Sequence, residues 1–141
     1  MRTISCMLAA VASLLAWYPQ AAHGQVRAKA DVTCVYGGQV LEYDCTIKLA
    51  NARSGEPLSG LTVSVGADMP SMPGMHNIRP VKATEQAEKG VYRIRLELEM
   101  HGDWSVQIDL RGAVRDRVIA LLRFEEKEVT DVKPSPGRRG N

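Results

Sequence analysis

The chain has 141 residues, 45% of them hydrophobic, with 18 Lys and Arg against 16 Asp and Glu for a formal net charge of +2. That near balance argues against nucleic acid as a partner, because phosphate binding needs a concentrated basic surface. The length suits one domain with a two-layer core.

The first element is a leader. Arg2 supplies a charged start, Met7 to Tyr18 an apolar run, and Ala22-His23-Gly24 a small-residue cleavage pattern, so residues 1–24 read as a signal peptide cut after Gly24. The apolar run is well short of the roughly 20 residues that span a bilayer, and no later stretch is long enough either. The expectation is a protein with no membrane span after cleavage, periplasmic or secreted. Cys6 lies ahead of the apolar run, where it is poorly placed for lipid attachment, and leaves with the leader.

Beyond the leader, runs of period-two alternation follow one another: Val26 to Tyr36, Val40 to Leu49, Leu61 to Gly66, Arg79 to Gln86, Tyr92 to Met100, Trp104 to Leu110 and Arg117 to Lys127. The clearest is Tyr92, Ile94, Leu96, Leu98 and Met100 interleaved with Arg93, Arg95, Glu97 and Glu99, a strand with one dry and one wet face. Gly37-Gly38, Asn51 to Gly60, Lys89-Gly90, His101 to Asp103 and Arg111 to Asp116 supply the turns. About seven strands in about 100 residues, mostly antiparallel, predict an all-β, immunoglobulin-like antiparallel sandwich over 25–129. Cys34 and Cys45 sit on the first two runs and, as an even pair in an exported chain, read as a disulfide. A two-thiolate metal site is the competing reading, without CxxC spacing to support it. Residues 130–141 hold two prolines, two glycines and two arginines without apolar periodicity and read as a disordered tail.

One loop stands apart. Every methionine after the leader lies in Asp68-Met69-Pro70-Ser71-Met72-Pro73-Gly74-Met75-His76 or in Met100-His101, and both remaining histidines follow a methionine. Thioether sulfur favours Cu(I), and imidazole suits copper in either oxidation state. The candidate metal ligands are therefore Met69, Met72, Met75, His76, Met100 and His101. Pro70 and Pro73 bias the loop toward a polyproline form with three residues per turn, which would set its thioethers along one edge. Asp68 is a candidate to orient a ligating imidazole and Trp104 to shield the cation with its π face. The plainer alternatives are a loop cap for Asp68 and a core plug for Trp104. Methionine also fills gaps in cores, and that alternative weighs most for Met100, which keeps step with Leu98.

Pro57-Leu58 and Gly60 before a strand, Met69-Pro70 with Met72 and Met75, Gly90-Val91-Tyr92, and Met100-x-Gly102-x-Trp104 together resemble the YtkA-like family and its relatives in the FixH and copper-efflux adaptor group, over roughly Val40 to Leu110. The resemblance implies a small exported immunoglobulin-like sandwich linked to copper or heavy-metal handling. FixH proteins usually carry a membrane anchor, for which this chain has no long enough stretch.

The function expected is a periplasmic copper-binding protein that sequesters Cu(I), with Ag(I) and Cu(II) left open, or passes it to a copper efflux system or cuproenzyme. The alternative is an immunoglobulin-like interaction module whose Met-rich loop contacts another protein without metal. No catalytic residues can be assigned: the two remaining histidines are both committed to the candidate metal site, no Ser-His-Asp set can be assembled, and no Gly-rich phosphate loop is present.

Overall fold

The alternating runs fold as nine strands in two antiparallel sheets. The computed structural model describes residues 25–132; the expected leader and the tail from residue 133 onward lie outside them. In chain order the strands are β1 (Ala28–Tyr36), β2 (Glu42–Asn51), β3 (Thr62–Asp68), β4 (Asn77–Lys82), β5 (Thr84–Glu85), β6 (Val91–Glu97), β7 (Gly102–Arg111), β8 (Asp116–Phe124) and β9 (Val129–Asp131). One sheet runs β1-β2-β6-β5 and the other β4-β3-β7-β8-β9. The first matches the A-B-E-D sheet of an immunoglobulin constant domain. The second matches its C-F-G sheet with β4 added beside β3 and β9 beside β8.

The core is built where the dry faces of the two sheets meet. Tyr43, Ile47 and Leu49 of β2 and Tyr92 and Leu96 of β6 come from one sheet; Val63 and Val65 of β3, Trp104, Val106 and Ile108 of β7, and Leu122 and Phe124 of β8 come from the other. Each such aliphatic or aromatic side chain contributes roughly 1.5 to 3 kcal/mol by leaving water. Tyr92 keeps its hydroxyl satisfied while buried, donating to the Leu58 carbonyl and accepting the Leu61 N–H, so the 51–60 loop is tied to the core. Gly90 makes the hairpin into β6 with φ +75°, and a Cβ there would lie 2.7 Å from the Leu49 carbonyl oxygen.

Besides shifts of a few residues at strand ends, three assignments differ from the sequence reading. The expected run from Arg79 to Gln86 is two strands: at Ala83, which is buried and donates its N–H to Val63, the chain leaves the β3 sheet and joins the β6 sheet. Leu98 to Met100 forms a turn after β6 rather than the end of the strand. Thr130 and Asp131, assigned to the tail, belong to β9, which pairs with Leu122 and Arg123 of β8. Cys34 and Cys45 stand directly opposite each other on β1 and β2 and are bridged, within one sheet rather than between sheets as in antibody domains.

Candidate functional site

Antiparallel register brings the two methionine segments together. Asp68, the last residue of β3, pairs with Asn77 at the start of β4 and with Ser105 near the start of β7. The β3–β4 loop, residues 69–76, and the β6–β7 turn, residues 98–101, therefore share one end of the sandwich. Two contacts join them. His76 Nδ1 lies 2.6 Å from Glu99 Oε2, and Met69 Cε sits 2.7 Å from where a Cβ on Gly102 would be. The Met69 methyl is the flexible end of its side chain, so it is the φ of +138° at Gly102 rather than the space that favours glycine there.

The loop is a pair of tight turns rather than polyproline. The Met72 N–H donates to the Met69 carbonyl at 3.0 Å and the Met75 N–H to the Met72 carbonyl at 3.1 Å, while the Met69 N–H reaches the His76 carbonyl at 3.3 Å and closes the loop. Polyproline has no internal hydrogen bonds. The spacing of three is that of the two i to i+3 turn bonds, one after the other, and not of a helical repeat. Gly74, at φ +76°, turns the chain back toward His76, and its N–H donates to Asp68 Oδ1 at 3.3 Å.

The three loop thioethers meet different surroundings. Met69 is 4% exposed and belongs to the core cluster, Met72 is 37% exposed and Met75 76%. Met69 thus anchors the loop, and the expected even row of sulfurs is replaced by a graded one that leads from core to solvent. Met100 is partly exposed at 36%. His101 lines a shallow cleft together with Met69, Ser71 and Gly102.

Two supporting residues take the plainer of the roles weighed for them. Asp68 caps the loop backbone and makes no bond to an imidazole; Glu99 takes the place beside His76. Trp104 is fully buried, and its Nε1–H donates to the Met100 carbonyl at 3.2 Å, so it holds the Met100 turn from below rather than lying over a cation. At the cleft rim Asp103 accepts both Nε and Nη2 of Arg123, and that guanidinium holds its carboxyl below the usual aspartate range. Glu99 was legible only as a wet-face residue of the alternating run. Its place next to Met100 was the one signal that set it apart from Glu97.

An ionised carboxylate can only accept, so the His76–Glu99 contact requires the proton on Nδ1 and leaves the Nε2 lone pair free on neutral histidine. Among the described residues no group of three or more His, Cys, Asp or Glu side chains converges as a metal site. The side chains at this end that could hold a metal are thioethers and imidazoles, whose chemistry suits a soft monovalent ion better than Mg²⁺ or Ca²⁺.

Fold and site together define a class: a disulfide-bridged immunoglobulin-like sandwich with thioether and imidazole side chains gathered at one end. The chain belongs to the YtkA-like family, whose family model matches residues 19–109, from ahead of β1 into β7. No curated protein and no solved structure matches it. Among the described residues no helix is long and apolar enough to cross a membrane.

Proposed function

We propose that this chain is a copper-binding protein of an oxidising compartment, the periplasm, which holds Cu(I) for sequestration or for transfer to a copper efflux system or a cuproenzyme. The observation that carries the reading is the meeting of the two Met-His segments at one end of a rigid scaffold. Met72, Met75, Met100 and His101, with Nε2 of His76, are the donors offered; Met69 fastens the loop beneath them. The pairing of His76 with Glu99 fits the arrangement in which a carboxylate orients a ligating imidazole. The disulfide fits an exported setting. Uncharged thioethers suit transfer, because a partner with more or softer ligands takes the ion without supplying a proton.

Titration of the protein with Cu(I) against a competing chelator tests the proposal, with X-ray absorption counting sulfur neighbours. The Met72, Met75 and Met100 to Leu variant is expected to lose at least about tenfold in affinity, equivalent to about 1.4 kcal/mol. Unchanged affinity, or a shell of oxygen and nitrogen alone, overturns it. The exposure of Met75 also suits an adaptable protein contact without metal. That reading predicts partner capture that survives a Cu(I) chelator and Leu substitution.

A further inference from the structure

A second binding feature lies on the β5 side of β6 and does not depend on the copper reading. Along one side β6 pairs with β2 from Val91 to Glu97, whereas on the other the two-residue β5 covers only Tyr92 and Arg93. From Ile94 to Glu97 that edge has no strand partner among the described residues. The direction of its main-chain groups follows from the bonds on either side. The Gly90 carbonyl and the Leu98 N–H bond toward β2, through Leu49 and Leu41, while the Val91 carbonyl accepts the Gln86 N–H on the β5 side. By alternation, the N–H and C=O of Arg95 and Glu97 point out of the sheet. Such an edge is a template for an added strand.

Beside it runs an open groove of about 590 Å³ that reaches β4. Val35 and Val81, 59% and 46% exposed, provide apolar patches in its lining. Its charge is one-sided. Lys82, Arg93 and Arg95 line it with Asp44; Arg95 is already paired, with two hydrogen bonds to Asp44 at 2.8 and 3.0 Å and with Glu42 at 3.8 Å, so the unmatched cations are the other two. Among the described residues Lys82 and Arg93 have no carboxylate within ion-pairing distance. Arg93 stands in register between Thr46 and Thr84, on the same face of the sheet.

We infer that the Arg95–Glu97 edge of β6 and its groove take up an extended segment of a partner protein in which apolar residues alternate with Asp or Glu. Main-chain pairing would supply affinity, and the lysine and arginine would select the acidic side chains. The chain's own ends do not fit: residues 1–24 and 133–141 contain no Asp or Glu, and the latter carry Lys133, Arg138 and Arg139. A second copy brings the same excess of cations to the edge.

The test is a titration of the ¹⁵N-labelled protein with an end-blocked peptide of alternating Val and Glu, about eight residues long, an ordinary strand length. A Val and Lys peptide is the control. The acidic peptide is expected to slow solvent exchange at the Arg95 and Glu97 amides. It is also expected to bind at least about tenfold more weakly to the K82E/R93E variant, as reversing two exposed charges would require. Equal binding of the basic peptide overturns the proposal, as does unchanged exchange at both amides in the unaltered protein at saturation. Protection that rises with protein concentration in the absence of peptide assigns the edge to a second copy instead and equally overturns it.

Discussion

His76 shows how a single side chain acquires a role from the fold. In the sequence it is one loop histidine among the turns; the contact from Glu99 fixes its proton on Nδ1 and leaves Nε2 as the metal donor. Glu99→Gln keeps the size but replaces an obligate acceptor with an amide that can also donate, so the tautomer is no longer fixed. The expected result is a loss of Cu(I) affinity of about tenfold, at the low end for partners of ligating residues, with thermal stability little changed because the pair is surface-exposed. Chelator competition on the variant measures it; full affinity would separate His76 from metal binding. The choice between Asp68 and Glu99 was not legible in the sequence. Both flank a methionine segment, and only the register of β3 against β7 and the return of the loop decide which carboxylate the imidazole meets.

At the scale of the element, the spacing of Met69, Met72 and Met75 suggested a polyproline repeat where the loop makes two successive tight turns. Proline biases φ in polyproline and in tight turns alike, and the hydrogen bonds that distinguish them depend on where β3 and β4 hold the loop ends. The strands themselves were legible, because alternation is their direct physical signature; the break at Ala83 was not, since a strand that changes sheet keeps its alternation. The turn at Gly102 offers a test of how the two segments are fitted. Its φ is +138°, and an added Cβ would meet only the flexible end of Met69. Gly102→Ala should therefore cost roughly 1 to 3 kcal/mol through backbone strain, and adding Met69→Ala should not restore stability. Urea unfolding of the single and double variants decides this. Recovery in the double variant would assign the cost to the side-chain contact.

For the whole molecule, two sheets joined mainly through their apolar faces leave the bridge between Cys34 and Cys45 as a local brace. It spans a sequence separation of 11 between strands already paired along their length. Closing so short a loop in the unfolded chain is worth about 2 to 3 kcal/mol. The Cys34→Ala/Cys45→Ala variant should lose that amount in urea unfolding while its far-ultraviolet circular dichroism still reports the sandwich; loss of the β signal would give the bridge a larger part in folding than its position indicates. The two cysteines left beyond the expected leader made this pairing legible, and the alternation of the two runs placed it on the first two strands.

Stability should also form a plateau in pH, with its two limits set by different chemistry. Hydrogen bonds from Arg95 and Arg123 hold the carboxyls of Asp44 and Asp103 below their ordinary value. A carboxyl lowered in the folded state adds stability above its unfolded value, near 3.9, and that contribution fades as pH falls through the folded value. Both pairs are exposed, so the acid limb should be shallow and weakened by salt. Burial raises the phenols of Tyr43 and Tyr92, with nearby Tyr36 and Glu126 adding to the effect at Tyr43 and Glu85 at Tyr92. A phenol raised in the folded state adds stability below its unfolded value, near 10, which is lost as pH climbs through the folded one. The alkaline limb should be the steeper, since the Tyr43 side chain packs edge-on against Phe124 while its hydroxyl donates to the Glu125 carbonyl, and ionisation removes that donor. Urea midpoints measured between about pH 3 and pH 11 check the shape. Tyr43→Phe should lower stability on the plateau by about 1 kcal/mol for the lost hydrogen bond and flatten the fall above pH ~10. An alkaline limb unchanged in that variant would show that Tyr43 does not set it.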